Sequence, residues 1–246
     1  MPLVTLDAVV LQAFPYSETS KILRLLTAPH GVQSVIARGA RRAKSRYGGV
    51  LEPFTDGVAT FYLKENRDLH TLREFELRRP RQALGRDLVR FGAASLLAEI
   101  VLRTGSGQES PEVFHAVRSA LADLEAAPAP QLEAVALAHS WALITTLGFG
   151  PALDHCVHCG GPLPEADLFF DYGAGGSLCG ACAGGAGAGR VLPAAARRDL
   201  VDLAAGRVIQ LERTAAHWQL LARFLTYHLV DATSLRSLDF LAEAVR

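Results

Sequence analysis

Two cysteine pairs, Cys156-Val-His-Cys159 and Cys179-Gly-Ala-Cys182, account for every cysteine of the 246-residue chain. Nineteen residues separate the pairs, a spacing that suits a four-thiolate zinc site. Each C-x-x-C turn offers two sulfurs to one ion, and a loop of this length lets the second turn close the tetrahedron. Gly160 and Gly161 after the first pair, and Gly180 inside the second, fit tight turns. Four thiolates fill the shell, so the expected role of one Zn2+ is structural; a catalytic zinc keeps a position open for water. His155 and His158 are then solvated loop residues, although either could replace a cysteine ligand. Two disulfides would suit an oxidising compartment, but MPLVTLDAVV shows no charged segment leading into an apolar core and cleavage site. A thioredoxin-type dithiol would need neither a second pair nor this context.

A second chemistry lies upstream. Arg38, Arg41, Arg42, Lys44 and Arg46 crowd nine residues, Lys21 and Arg24 precede them, and no acid falls between Glu18 and Glu52. Interleaved small residues suit a surface loop whose guanidiniums reach successive phosphates. Tyr47 supplies a ring on which a base could stack. The bland alternative is a solvated charged loop. Other chemistries find no constellation. No His-x-x-x-His, His-Glu-x-x-His or His-x-Glu occurs, the carboxylates are scattered, and no phosphate loop ends in Lys-Ser/Thr. The glycine-rich stretch 183–189 reads as a flexible linker. His139, Trp141, His217, Trp218 and His228 lie on apolar helical stretches as core or groove residues.

The formal charge of zero hides an asymmetry: residues 1–80 carry a net +4 and residues 81–246 a net −4. Such a split points to a nucleic-acid partner. Half the residues are hydrophobic and a fifth charged, as in ordinary globular proteins. No apolar run is long enough for a membrane span, and a cytoplasmic location is expected.

The elements that must position these groups change character near residue 80. Short β-rich runs come first: 3–14, Lys21–Thr27, 32–37, 57–64 and 69–77, broken by turn residues. Along the first, Val4, Leu6, Ala8 and Val10 share a face; along the last, Leu72 and Phe75 fall on opposite faces. Helical spacing follows, through Leu84, Leu88, Phe91, Ser95, Ala98 and Leu102 and ending at Gly105 and Gly107. Further helices start at Ser110 and span 131–147, 193–205, 211–229 and 235–245. The expected class is α+β. A five-stranded antiparallel OB-fold barrel over 1–80 would bind nucleic acid, and an all-α domain over 81–246 would carry the zinc module at about 151–190.

Particular stretches match a known family. Phe14-Pro-Tyr-Ser-Glu-Thr-Ser-Lys-Ile-Leu23, His30-Gly31, Ala37-Arg-Gly-Ala-Arg-Arg42 and Leu51-Glu-Pro-Phe54, with Leu147-Gly-Phe-Gly-Pro-Ala-Leu-Asp-His-Cys156, resemble the bacterial DNA repair protein family RecO, in its zinc-bearing members. The resemblance implies a recombination mediator without enzymatic turnover, which binds single- and double-stranded DNA and anneals complementary strands. It also implies the partners RecR and single-stranded DNA-binding protein (SSB), with the recombinase RecA loaded onto SSB-coated strands. The SSB tail is acidic and ends in an apolar residue, so its site calls for a hydrophobic pocket beside a cation such as Arg197, Arg198 or Arg223. Two competing classes are a zinc-ribbon accessory factor that reads nucleic acid through the cysteine module, and a metal-assisted nuclease. Against the first, 160–182 holds Glu165, Asp167 and Asp171 and not one Lys or Arg.

Overall fold

The computed structural model describes residues 2–63, 67–104, 110–185, 187–229 and 235–244. Lys64 at the expected end of the fourth strand, the helix stops Gly105 and Gly107, Ala186 and Val245 lie outside them. The chain forms two compact units, Met1–Ala126 and Ala127–Arg246.

In the first unit, β1 (Leu3–Pro15), β2 (Lys21–Thr27), β3 (Gly31–Ala37), β4 (Asp56–Tyr62) and β5 (Leu69–Arg79) pair into a ring in the order β1-β2-β3-β5-β4. The length of β1 makes closure possible. Its first half pairs with β4, from Leu3↔Tyr62 to Val9↔Asp56, and its second half with β2, from Ala8↔Thr27 to Pro15↔Lys21. A register shift between Val10 and Gln12 bends the strand where it changes partner. Among the described residues, closure gives every strand of the ring a neighbour on both sides.

The ring is mixed, which corrects the all-antiparallel expectation. Ser34–Ile36 of β3 pairs in parallel with Leu69–Thr71 of β5. The long connection after β3 allows this, because β4 returns beside β1 before β5 fills the gap next to β3; parallel neighbours need such a crossover. A second correction concerns β5. Its register slips between the pairs Thr60↔Glu74 and Phe61↔Leu72, leaving Arg73 as the extra residue. Leu72 and Phe75 therefore both enter the core instead of lying on opposite faces. Ala8, Val10, Leu23, Leu25, Val35, Ala59 and Phe61 fill it with them, and Val4 and Leu6 pack alongside.

Helices α1 (Leu88–Thr104) and α2 (Pro111–Ala126) complete this unit and pack on β1 and β2. The Ser110 hydroxyl accepts the Val113 N–H at 3.3 Å and caps α2 as expected. Arg118 of α2 donates from Nε to the buried Asp56 carboxylate at 2.9 Å, beside Arg81 at 3.5 Å. Arg90 of α1 donates to the Leu124 and Glu125 carbonyls at the end of α2.

The second unit joins α3 (Leu132–Thr146), α5 (Ala194–Ala204), α6 (Thr214–His228) and α7 (Arg236–Ala244) to a small three-stranded sheet. That sheet, ordered β7-β6-β8, comprises β6 (Leu168–Asp171), β7 (Gly176–Leu178) and β8 (Gly189–Leu192), with the single-turn α4 (Gly180–Ala183) between β7 and β8. The region is thus not all-α. Strands of three or four residues are too short to show a period, so their sequence reads as loop. The sheet is built into the unit's core. Buried Phe170 of β6 approaches Phe224 of α6 at 6.2 Å between ring centroids, and Phe224 meets Trp141 of α3 edge-on at 5.0 Å.

The glycine stretch is likewise not a free linker at its end. Gly187 donates its N–H to Asp171 Oδ2 at 3.0 Å, and Gly189 begins β8. A Cβ on Gly189 would meet the Phe170 carbonyl at 2.1 Å, so only glycine permits that pairing.

Candidate metal centre and nucleic-acid interface

The four cysteines converge in the second unit. Their sulfurs all lie within 4.8 Å of one another, with Cys159 and Cys179 3.8 Å apart. Tetrahedral zinc–sulfur bonds of about 2.3 Å require sulfur–sulfur edges of about 3.8 Å, so the cluster is of the right size to hold a metal ion. The local chain shows why. Cys156 donates its N–H to the Gly161 carbonyl and accepts that of Gly160, each at 2.8 Å, across a left-handed turn at Gly160 (φ +71°). In the second turn, Cys182 and Ala183 both donate to the Cys179 carbonyl at 3.0 Å. The two turns are laced together by Val157 N–H to the Ser177 carbonyl at 3.0 Å and Ser177 N–H to the Ala152 carbonyl at 2.9 Å.

The donor chemistry also fits a cation. Backbone N–H groups of Cys179 and Cys159 lower the Cys156 thiol to about 6, whereas hydrogen bonds to Cys179 and Cys159 push Cys182 up to about 12. Four sulfurs this close do not all ionise unaided; a divalent ion is what favours four thiolates. His155 is exposed and bonded to Asp154 at 2.6 Å, and His158 is exposed; neither joins the cluster.

Arg197, expected as an exposed cation beside a partner site, is turned inward. It is buried to 9 % exposure on α5 and donates to the Leu153 and Pro164 carbonyls, at 3.3 and 2.8 Å, on the loops flanking the first cysteine pair. Both of its terminal nitrogens serve the module's own backbone, which a charge count along the sequence does not reveal. Arg198 and Arg223 are exposed.

In the first unit, the connection from β3 to β4 is a succession of turns on which Arg38, Arg41, Arg42, Lys44 and Arg46 are all exposed. Lys21 is half-buried and paired with Glu52 at 2.9 Å. Arg24 belongs to the wall of the ring, with Nε enclosed and without a hydrogen-bond partner. The structure therefore gathers the five loop cations on one connection and leaves Lys21 and Arg24 as strand residues.

Tyr47 is the main correction at this site. Its ring is 4 % exposed, sits in the core of the ring and donates from the hydroxyl to the Leu72 carbonyl at 3.1 Å. Arg46 lies over it at 4.9 Å and donates to the hydroxyl at 2.7 Å. Tyr47 is an anchor that plugs the loop into the core, and no face is free for a base. A tyrosine among arginines reads as exposed, but its amphipathic ring also suits such an anchor.

Arg41 has a double character. Its backbone N–H donates to the Thr19 carbonyl at 3.0 Å and its Nη1 to the Ser17 carbonyl at 2.6 Å, tying the basic connection to the β1–β2 turn. That turn presents Tyr16, which the sequence reading passed over. Its signal was Pro15, which ends β1 and leaves the next side chain beyond the sheet.

Among the described residues, no helix is long and apolar enough to cross a membrane. Two family models cover nearly the whole chain, Recombination protein O N terminal over residues 1–81 and Recombination protein O C terminal over residues 85–238. Proteins named DNA repair protein RecO are similar over most or nearly all of the chain. That of Anaeromyxobacter dehalogenans (strain 2CP-C) is 39% identical over 80% of this chain and 76% of its own. That of Pelotomaculum thermopropionicum is 32% identical over 99% and 96%, and that of Bacillus subtilis 30% over 72% and 67%. An exposed arginine surface on a closed five-stranded ring and a four-cysteine cluster in a helical unit thus sit within a shared sequence framework: the chain belongs to the Recombination protein O family, a family of DNA repair and recombination proteins.

Proposed function

We infer that this protein is a recombination mediator of DNA repair that holds single- and double-stranded DNA on the basic connection of its first unit and anneals complementary strands. The observation that carries this reading is the set Arg38, Arg41, Arg42, Lys44 and Arg46, all exposed on one connection. Cations on turns meet phosphates, which carry no sequence information, and leave base edges free to pair. The ring order β1-β2-β3-β5-β4 with its parallel β3–β5 closure supports reading the first unit as an OB-fold.

The four cysteines would hold one structural Zn2+, which would fasten the β6–β8 sheet. The reading includes no enzymatic turnover: four thiolates complete a tetrahedral shell, and a metal-assisted nuclease needs an open position for water. In this reading the protein acts in the bacterial cytoplasm, at the nucleoid. With RecR it helps load RecA onto SSB-coated strands, and it meets the acidic SSB tail through an exposed cation of the second unit, Arg198 or Arg223.

The test is annealing of SSB-coated complementary strands, with and without RecR, in the presence of magnesium. Annealing without cleavage, accelerated by RecR, supports the mediator; strand cleavage would replace it with the nuclease.

A further inference from the structure

The end of the ring beside the basic connection is concave. A cavity of about 300 Å³ lies between the β1–β2 turn and the end of β3, lined by Tyr16, Thr19, Ser20, Ile36, Arg38 and Arg42. Its size is at the small end of ligand sites, which run to about 1,000 Å³. Its composition is specific. Tyr16 is 59 % exposed, an aromatic residue in water beside the exposed Arg38 and Arg42. Ile36 adds an apolar residue, and Thr19 and Ser20 complete the wall.

The walls are preorganised. The Tyr16 N–H donates to the Ser20 carbonyl at 3.0 Å, closing the turn. Arg41 crosses from the other wall to the Ser17 and Thr19 carbonyls, so the two loops keep their separation. Glu18, the acid of this turn, is exposed and does not line the cavity.

We propose that this cavity binds one unpaired nucleotide of a DNA strand, Tyr16 stacking on the base while Arg38 and Arg42 hold the flanking phosphates. The proposal rests on the reading of the basic connection as the DNA surface and adds the group that distinguishes strand types. Guanidiniums neutralise phosphates of either strand type. A tyrosine face is available only to a base that has left its duplex stack. Tyr16 thus takes the part that the buried Tyr47 cannot, and the site favours single strands at the cavity while the arginines grip both forms.

The experiment compares the full-length protein with Tyr16→Ala, Tyr16→Phe and the double variant Arg38→Ala/Arg42→Ala. Binding of a labelled 30-mer, single-stranded or duplex, is followed by anisotropy, and single strands carrying 5-iodouracil are photocross-linked and the attached peptide identified. Tyr16→Ala should weaken single-strand binding about tenfold, a typical loss for one stacked base, and leave duplex binding within twofold. Tyr16→Phe should restore it, and the cross-link should fall on Tyr16. If Tyr16→Ala changes neither form, or both equally, or the cross-link falls elsewhere, the nucleotide cavity is overturned while loss of binding in the arginine variant keeps the basic surface. An arginine variant that binds both forms normally would overturn the surface and the cavity with it.

Discussion

Arg197 Nη2 donates to the carbonyl of Pro164 at 2.8 Å, so a residue of α5 holds the loop that leads from the first cysteine pair to β6. Nη1 reaches the Leu153 carbonyl on the other side of that pair. A cation on an amphipathic helix thus acts as a clamp. Arg197→Ala leaves both carbonyls without this donor, at a cost of about 1–3 kcal/mol. Thermal unfolding should show a lower midpoint and chelator-driven metal loss should accelerate. Arg197→Lys should rescue little, because an ammonium does not span two carbonyls as the guanidinium fork does. Arg198→Ala, altering an exposed neighbour, should leave both measurements unchanged.

Asp56 plays the equivalent part in the first unit. Its carboxylate faces Arg118 at 2.9 Å and Arg81 at 3.5 Å, and the side chains of Asp56 and Arg81 are almost fully enclosed. Burial already lowers the Arg81 pKa, opposed by Asp56 and Glu125. Asp56→Ala leaves the buried Arg81 guanidinium with Glu125, 3.7 Å away, as its remaining carboxylate, so the loss should fall at the low end of the about 3–5 kcal/mol for breaking a buried pair. The urea midpoint should fall with an unchanged m-value. Arg118→Ala should cost less, since Arg118 is about a third exposed and Arg81 still faces the carboxylate.

How far the sequence reveals this molecule depends on the range of each signal. Lys21–Thr27 is legible as a strand to the residue, because turn residues bound it and Leu23 and Leu25 alternate into the core of the ring. The Ser110 cap and the cysteine quartet are legible for the same reason: each is a local pattern with one geometric solution. The parallel β3–β5 pairing is not, since it depends on where a distant strand finds room. The extra residue Arg73 is also silent, and it inverts the expected facing of Leu72 and Phe75. Tyr47 and Arg197 mislead in a shared way. Each has a polar end that suggests water, and each uses it on a backbone carbonyl inside the fold. On the β3–β4 connection, the exposure of the five cations was legible; its ties to the β1–β2 turn through Arg41 were not.

His217 sets a pH dependence of stability. Burial lowers its pKa below the ordinary value of about 6.5, with Arg190 acting in the same direction and Asp199, 3.4 Å away, opposing. Below about pH 6.5 the unfolded chain takes up a proton that the folded chain resists. The stabilising contribution is therefore present above that pH and is lost as pH falls below it. Denaturant midpoints measured from pH 7.5 to pH 5 should decline, and His217→Phe should decline less steeply over that interval.

The cysteine centre should be needed for folding of its own unit and not for the DNA surface. Cys159→Ser, or a chelator added to the zinc-loaded protein, should lower the melting temperature and expose the Phe170 cluster to proteolysis. DNA binding by the basic connection should fall less than twofold. A variant that keeps its melting temperature but loses DNA binding would place the nucleic-acid reader at the cysteines instead.

The most direct measurement is the salt dependence of single-strand binding by the wild-type protein and by Arg38→Ala/Arg42→Ala. Each phosphate neutralised contributes a slope of about −0.7 to log K against log salt on single strands. Loss of both arginines should therefore flatten the slope by about 1.4 and weaken binding most at low salt. An unchanged slope and affinity, with the variant folded, would contradict the assignment of the DNA surface to this connection.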